Sequence, residues 1–278
     1  MEKKILLTDC PDCKGLIAKI TNICQKQQLN IIKNNEFVDK TYGRFFMRTV
    51  IEGDFDDEKL LAELDINLPE GSDRKLISSS KKRVVVLVTK EAHCIGDILM
   101  KSIYGGMDVE VCAVVSNHDT LKELVSKFDV PFRSIFQNEL TREEHEMQIL
   151  EIIAQYSPDY VILAKYMRIL TPHFVKQYKN KLINIHHSFL PAFIGAKAYQ
   201  QAFDRGVKMI GATAHFVNDN LDEGAIISQD ITHIDHAYNA EELAKAGRDV
   251  ERSVLSRALQ QLLSDKVFVY KNRTVVFK

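Results

Sequence analysis

An amide and an imidazole stand two residues apart in the segment N-I-H-H-S-F-L-P, which begins at Asn184. Because side chains alternate between the faces of a β-strand, Asn184 and His186 are predicted to project to one side and His187 to the other. An amide N–H can donate to the oxyanion that forms when a carbonyl is attacked, and an imidazole can move the proton. The spacing therefore indicates attack on a carbonyl carbon, with a structural histidine as the competing interpretation. The opposed histidines argue against a shared metal ion.

A carboxylate-rich loop can complete this pair. The segment H-F-V-N-D-N-L-D-E-G runs from His215 to Gly224 and lacks the ligand spacing of an EF-hand calcium loop. A carboxylate from this loop held against His186 would fix the tautomer of the imidazole and favour its protonated form. The loop is therefore predicted to supply a partner for His186, although a solvated turn would have the same composition.

The strands that position these residues belong to a pattern that begins at Val84. Short apolar runs at 84–88, 109–115, 160–164 and 182–186 alternate with helical stretches. This alternation is typical of a parallel sheet covered by helices. Ligands of such sheets bind beyond the carboxyl ends of the strands, so the polar residues at the end of the last run are the first candidates for a functional site.

Further elements complete this region. Two strands are predicted at 210–217 and 225–231, and a long helix is predicted over 241–263. Asn239 and Glu242 have the spacing of a capping box at the start of this helix.

The N-terminal part of the chain has a different order of elements. Its periodicity predicts the β-α-β-β-α-β order of ferredoxin-like modules. The polar, basic stretch over 78–83 separates this module from the next apolar strand, so a domain junction is placed there. The predicted fold class is α/β, with a ferredoxin-like domain over 1–80 followed by a Rossmann-like domain over 84–278 that has a mostly parallel sheet.

Bulk properties exclude several classes of function. The 278 residues carry a formal net charge of −1, so no global field would attract nucleic acid or an anionic membrane. No apolar run approaches the ~20 residues of a membrane span, and the first residues lack the cleavage site of a signal peptide. Five scattered cysteines suit a reducing compartment. These properties favour a small-molecule enzyme of the cytoplasm.

Two long motifs resemble those of a known family. The segments N-I-H-H-S-F-L-P-A-F-I-G-A and A-T-A-H-F-V-N-D-N-L-D-E-G-A-I-I are similar to the active-site signature of the formyltransferase family that uses 10-formyltetrahydrofolate. The resemblance implies that Asn184, His186 and Asp222 form the catalytic trio, with His215 beside them.

The resemblance also implies a folate pocket. In the family this pocket includes a segment similar to K-Y-M-R-I-L, which begins at Lys165. Apolar side chains there would enclose a flat pterin while backbone groups read its edge. The residues expected to bind the folate are Met167, Arg168, Ile169, Leu170, His215, Asn218 and Leu221. The folate is then the substrate, and neither a tightly bound cofactor nor a metal ion is expected.

Members of the family differ in the acceptor of the formyl group, which is water, glycinamide ribonucleotide or aminoacyl-tRNA. A ribose phosphate needs a cradle, which the transformylases build from a glycine-rich turn after the first sheet strand. The turn over 89–95 has no glycine and contains Glu91. A tRNA acceptor calls for a further RNA-binding domain. Water is therefore the predicted acceptor, and transfer to an amine is the alternative.

His93 lies in the same turn. It is a candidate for ordering the water or binding formate, and a packing or capping histidine is the competing interpretation.

The whole chain resembles formyltetrahydrofolate deformylases, which place an ACT domain before the formyltransferase domain. The segments R-F-F-M-R from Arg44 and H-C-I-G-D-I-L from His93 are similar to their signatures. The resemblance implies a hydrolase of a linear amide C–N bond that supplies formate for purine synthesis and balances the one-carbon folate pool. A folate- or amino-acid-binding regulator with a decayed catalytic domain is the rival interpretation, which the intact trio disfavours.

ACT domains commonly bind an amino acid at a subunit interface through the loop before their first helix. Asp9, Asp12 and Gly15 are therefore candidate effector residues, with Gly15 allowing close backbone approach. Edge strands of such modules tend to pair between subunits, so a homo-oligomer is expected. The same loop holds the C-x-x-C pair Cys10 and Cys13, but no second pair completes four zinc ligands.

Overall fold

The computed structural model describes residues 2–137, 140–193, 195 and 197–278. The chain separates into two compact units, one over Met1–Ser80 and the other over Lys81–Val276. Among the described residues, no helix combines the length and the apolar character that a membrane span requires.

The first unit has the β-α-β-β-α-β order that its sequence predicts. Its elements are β1 (Glu2–Pro11), α1 (Leu16–Lys26), β2 (Asn30–Asp39), β3 (Arg44–Gly53), α2 (Asp57–Asn67) and β4 (Asp73–Ser78). The strands form an antiparallel sheet in the order β2-β3-β1-β4. Apolar residues from the sheet and from both helices, including Leu6, Ile20 and Leu60, form one buried core.

The second unit is built on a seven-stranded sheet in the order β11-β10-β9-β8-β5-β6-β7. Its elements are β5 (Lys82–Val88), α3 (His93–Tyr104), β6 (Val109–Ser116), α4 (Lys122–Ser126), β7 (Phe132–Ser134), α5 (Arg142–Tyr156), β8 (Tyr160–Leu163), α6 (Pro172–Gln177), β9 (Leu182–His186), α7 (Ala198–Arg205), β10 (Met209–Phe216), β11 (Ile226–His233), α8 (Ala240–Leu263), β12 (Val267–Tyr270) and β13 (Arg273–Val276). The five strands from β9 to β7 pair in parallel. Strand β10 is antiparallel to β9, and β11 is antiparallel to β10. The predicted α/β class with a mostly parallel sheet is confirmed.

Two cores cover the two faces of this sheet. Along β5, Val84 and Val86 belong to the core that includes α3 and α8, whereas Val85 and Leu87 belong to the core that includes α5 and α6. Alternate side chains of one strand are thus buried on opposite faces, which explains the continuous apolar run in the sequence.

The long helix α8 begins at the predicted capping box. The Asn239 side chain accepts hydrogen bonds from the backbone N–H groups of Glu241 and Glu242, and the Glu242 carboxylate accepts one from the Asn239 N–H at 2.8 Å. A cap of this kind typically stabilises a helix by about 1 kcal/mol. It fixes the start of the helix that carries Glu251 into the interior of the unit.

Candidate active site

Two neighbouring strands bring the candidate catalytic residues together. Asn184 and His186 lie on β9, and His215 lies opposite Asn184 on β10. Asp222 lies in the loop after β10 with φ +58°, a left-handed conformation that aspartate adopts more readily than most residues. All four side chains line one cavity of about 290 Å³. The antiparallel pairing of β9 with β10 therefore joins two motifs that are separated in the sequence.

His186 contacts the carboxylate loop directly. Its Nδ1 lies 3.3 Å from Asp222 Oδ2, and its Nε2 lies 3.1 Å from the backbone oxygen of Phe193. The backbone N–H of Gly195 donates to the same Asp222 oxygen at 3.3 Å. Burial acts to raise the pKa of Asp222, but the hydrogen bond and charge of His186 outweigh it and leave the pKa below its usual value. Asp222 is therefore an ionised acceptor at neutral pH.

The orientation of Asn184 is set by His215. The Nδ1 of His215 lies 2.8 Å from the backbone oxygen of Phe216, so this nitrogen carries the proton. Burial lowers the pKa of His215 and keeps the ring neutral, which leaves Nε2 as an acceptor. The Asn184 Nδ2 lies 3.2 Å from this Nε2 and therefore donates to it. An amide nitrogen has two hydrogens, so the same group retains a second donor for a ligand.

The structure overturns the prediction for His187. We expected its side chain on the face opposite His186, but it lines the same cavity, and the two ring centroids lie 5.0 Å apart. Strand β9 ends at His186, so the alternation of faces does not extend to the next residue. Burial is the main cause that lowers the pKa of His187 to about 4, and Nε2 accepts a hydrogen bond from the Ala198 N–H at 3.4 Å.

The candidate folate residues line the cavity as a group. They are Met167, Arg168, Ile169, Leu170, His215, Asn218 and Leu221. Met167 is 52% exposed and Ile169 is 59% exposed, so the lining includes accessible apolar side chains. The backbone N–H of Met167 donates to Thr89 Oγ1 at 3.0 Å, which ties the segment to the end of β5. The cavity therefore has an apolar, accessible wall of the kind that receives a flat aromatic ligand.

His93 is placed elsewhere. It is not among the described residues that line this cavity, and its Nε2 lies 2.8 Å from the buried carboxylate of Glu251. Glu251 also lies 3.1 Å from the ammonium of Lys165, which does line the cavity. Sequence reasoning missed Glu251, and it named Lys165 only as the first residue of the expected folate segment. The signal for Glu251 was its position four residues after Gly247 on the buried face of α8, where a charge is unexpected.

One group among the described residues has the donors and spacing of a metal site: His93, Cys94 and Glu251, with ligand atoms within 4.8 Å of one another. The ammonium of Lys165 already neutralises the Glu251 carboxylate. Burial raises the pKa of the Cys94 thiol well above its ordinary value, whereas a metal ligand must be the thiolate. The chemistry of these donors therefore favours the ion pair over a metal ion.

In the first unit, the end of β1 and the loop before α1 hold the candidate effector residues. Asp9 Oδ1 accepts from Arg44 Nε at 2.8 Å. Burial raises the pKa of Asp9, although Arg44 opposes the rise. The Asp12 N–H donates to the Gly43 oxygen at 2.8 Å. Gly15 directly precedes α1 with φ +84°, a conformation that favours glycine, and the space that a Cβ would fill there is open.

Comparison with known proteins agrees with this geometry. The family model for the formyl transferases matches residues 82–259, and the model for the ACT domain matches residues 4–67. The chain is 62% identical to the formyltetrahydrofolate deformylase of Escherichia coli (strain K12), over 99% of both chains. The chain belongs to the formyltetrahydrofolate deformylase family.

Solved structures support the assignment to this family. The crystal structure of a formyltetrahydrofolate deformylase from Pseudomonas syringae pv. tomato has a TM-score of 0.95 and 36% identity, covering 100% of this chain and 95% of that one. Glycinamide ribonucleotide transformylase 1 from Symbiobacterium toebii has a TM-score of 0.70 and 26% identity, covering 73% of this chain and 97% of that one. The similarity to the deformylase thus covers more of the chain than the similarity to the transformylase.

Proposed function

We propose that this chain hydrolyses 10-formyltetrahydrofolate to formate and tetrahydrofolate, with Asn184, His186 and Asp222 as the catalytic residues. The observation that carries the proposal is the 3.3 Å contact between His186 and Asp222 in the cavity that also holds Asn184. A proton-transfer group and an oxyanion donor are the two parts that attack on a formyl carbon requires. The 62% identity to a named deformylase supports the same substrate.

The reaction follows from these groups. The oxygen of a water molecule attacks the formyl carbon while His186 takes up a proton from it. The amide N–H of Asn184 donates to the oxyanion, an interaction typically worth roughly 3–4 kcal/mol in the transition state. The bond from carbon to N10 then breaks, and His186 returns the proton to N10. The product is formic acid, which releases its remaining proton to solvent as formate, and no redox partner is needed.

Asp222 orients the imidazole during this cycle. Its carboxylate faces Nδ1 and stabilises the positive charge that His186 gains when it accepts a proton. Nε2 must then face the water, but here it lies 3.1 Å from the Phe193 oxygen. We infer that substrate binding exchanges this backbone contact for the water that attacks.

The folate is proposed to bind along the segment that contains Met167, Arg168, Ile169 and Leu170, with Asn218 and Leu221 from the loop after β10. All of these residues line the cavity of the trio. Apolar contacts would hold the pterin, and polar groups of the cavity would fix its orientation. The substrate is the only folate required, so the proposal includes no tightly bound cofactor.

The alternative acceptor is glycinamide ribonucleotide. The turn over 89–95 holds the Glu91 carboxylate, which lies 3.6 Å from His93 Nδ1 and 3.4 Å from Arg248 Nε. Glu91 thus occupies the cationic side chain of Arg248, which would otherwise be available to a phosphate, and this disfavours that acceptor.

The assay that tests the proposal mixes the purified full chain with 10-formyltetrahydrofolate, with and without glycinamide ribonucleotide. Tetrahydrofolate is followed by absorbance, and formate is measured by a coupled dehydrogenase. Turnover without an added amine is the expected result. Turnover that requires the nucleotide would replace the hydrolase with a transferase.

Regulation is a separate part of the proposal. The match to the ACT domain supports an amino-acid effector that binds at Asp9, Asp12 and Gly15 in a homo-oligomer. Calorimetry of the full chain against the twenty amino acids is expected to give saturable heat for at least one, and Asp12→Ala is expected to weaken it. Heat for none of them would reject the effector. Light scattering measures the oligomer, and a monomeric mass would reject that expectation.

A further inference from the structure

A buried carboxylate on α8 gathers three polar side chains from separate parts of the second unit. Glu251 is 0% exposed. Its Oε2 lies 2.8 Å from His93 Nε2 and 3.1 Å from Lys165 Nζ, and its Oε1 accepts from the Tyr199 hydroxyl at 2.5 Å. Burial alone would raise the pKa of Glu251, but His93, Lys165 and Tyr199 lower it to about 2. The carboxylate is therefore charged, and its partners are what allow that charge to be buried.

Two backbone features that are unfavourable by themselves accompany this cluster. Gly247 lies one turn before Glu251 in the interior of α8, where glycine is a poor helix former. A Cβ at this position would lie 2.0 Å from the Tyr199 hydroxyl, so only glycine lets Tyr199 cross the helix and reach Glu251. Lys165 has φ +63°, a left-handed conformation that is strained for lysine. Such features persist where surrounding contacts impose them, and they are concentrated at functional sites.

The cluster forms part of the wall of the catalytic cavity. Lys165 is 4% exposed and lines the cavity together with Asn184 and His186. The ring of His187 lies 5.0 Å from that of His186 and 5.6 Å from that of Tyr199. The apolar wall of the cavity suits the folate. We therefore expect the acceptor of the formyl group on the polar wall, which Lys165 and His187 form.

We propose that Lys165, held in place by Glu251, determines that water is the acceptor of the formyl group. Lys165 lines the cavity of the trio, so its side chain limits the room that this cavity offers to a nucleophile larger than water. A transformylase shares this fold, so the fold alone does not select the acceptor. The inference rests on the proposed formyl chemistry of the same cavity and adds the residues that choose between its outcomes.

Both outcomes balance without a further reactant. With water, a C–O bond forms, the C–N10 bond breaks, one proton passes to N10, the other is released to solvent, and the product is formate. With an amine, a C–N bond forms, the C–N10 bond breaks, an amine proton passes to N10, and the product is an N-formyl amine. The ratio of the two products therefore reports the acceptor directly, and a purely structural role of Lys165 would not change it.

The test uses the full chain, 10-formyltetrahydrofolate labelled with ¹³C in the formyl group, and an excess of glycinamide. Carbon NMR measures formate and N-formylglycinamide in the same sample. Lys165→Ala is compared with Glu251→Gln, which removes the nearer of the two carboxylates beside the ammonium, Glu251 at 3.1 Å and Glu91 at 3.6 Å, but keeps the shape of the side chain. Lys122→Ala, at an exposed position on α4, is the matched control. Circular dichroism establishes that each variant is folded.

Wild-type protein and the Lys122→Ala variant are expected to give formate almost exclusively. Lys165→Ala is expected to raise the ratio of formylated amine to formate by tenfold or more, and Glu251→Gln to raise it by a smaller factor. A wild-type ratio in a folded, active Lys165→Ala variant would overturn the inference. If that variant does not fold, an unchanged ratio for Glu251→Gln overturns it. Wild-type protein that releases no formate without an amine would instead refute the proposed hydrolase.

Discussion

The Nδ1 of His186 lies 3.3 Å from Oδ2 of Asp222, although 36 positions separate the two residues in the chain. Strand β10 is antiparallel to β9, so it ends beside the start of β9, and the loop after β10 folds back to bring Asp222 to His186. Asp222 enters this turn with a positive φ, which directs its carboxylate at the imidazole. The pair is thus produced by the topology at one edge of the parallel part of the sheet.

Loss of this pair is expected to abolish most of the activity. His186→Ala removes the proton-transfer group, and general acid–base catalysis contributes typically about 10²–10⁴-fold, so kcat/KM for formate release is expected to fall within that range. Asp222→Asn keeps the shape of the side chain but removes the charge that stabilises the imidazolium, so a large fall in kcat is also expected. His236→Ala, an exposed histidine, is the control. Near-normal formate release by His186→Ala would remove this residue from the mechanism.

Asn184 is expected to act on kcat more than on KM. Asn184→Leu removes an oxyanion donor of similar size, and loss of such a donor typically lowers kcat by about 10²–10³-fold. His215→Phe leaves Asn184 without the acceptor that orients it at 3.2 Å, so a smaller fall in kcat is expected. Steady-state kinetics with 10-formyltetrahydrofolate separate the two constants. A rise in KM with unchanged kcat for Asn184→Leu would identify it as a binding residue instead.

The apolar wall is expected to show the opposite kinetic signature. Ile169 is 59% exposed, so Ile169→Asp should leave the fold intact while it removes an apolar contact with the folate. Burial of such a side chain is worth about 1.5–3 kcal/mol, which predicts a rise in KM of roughly 10–100-fold with a small change in kcat. Met147→Asp, an exposed methionine on α5, is the control. An unchanged KM for Ile169→Asp would place the folate elsewhere.

Substitution by alanine is expected to change the free energy of unfolding in opposite directions at Gly247 and Gly96. Replacing a helical glycine by alanine usually stabilises a protein by about 1 kcal/mol. Gly96 has no atom within 4 Å of the position of a Cβ, so Gly96→Ala should raise the free energy of unfolding. At Gly247 the Cβ would lie 2.0 Å from the Tyr199 hydroxyl, and overpacking of this kind costs typically about 1–3 kcal/mol. Urea titration of both variants measures the difference, and a stabilised Gly247→Ala variant would contradict the close packing of Tyr199 against Gly247.

His187 predicts a dependence of stability on pH. Its pKa is about 4 in the folded chain against an ordinary value of 6.5, so between these two values the unfolded chain binds the additional proton. Stability therefore rises with pH through this window. As pH falls from 6.5 to 4, protonation of His187 in the unfolded chain lowers the free energy of unfolding by at most about 3 kcal/mol.

The measurement is the free energy of unfolding at pH 6.5 and pH 4.5. His187→Phe cannot be protonated, so its pH slope in this window should be shallower than that of the wild type. His236→Ala, which changes an exposed histidine, should keep the wild-type slope. Equal slopes for wild type and His187→Phe would show that His187 is not the group that titrates.

Local sequence determined the secondary structure and the chemistry of the candidate site. The apolar runs marked the strands, Asn239 and Glu242 marked the start of α8, and the spacing of Asn184 and His186 placed an amide beside an imidazole. The hairpin of β12 and β13 was not predicted, because each strand has only four residues and its pairing depends on the turn between them. Local signals of this length are too short to define a strand.

Only the tertiary structure decided what surrounds these groups. The direction of His187 depends on where β9 ends, and the contacts of Glu251 with His93, Lys165 and Tyr199 join α8 to three distant segments. A sequence pattern repeats over neighbouring positions, whereas such contacts are set by the order of strands in the sheet and by the crossing of helices over it. The sequence by itself predicted the residues for formyl chemistry, and only the tertiary structure placed a buried lysine in the lining of the same cavity.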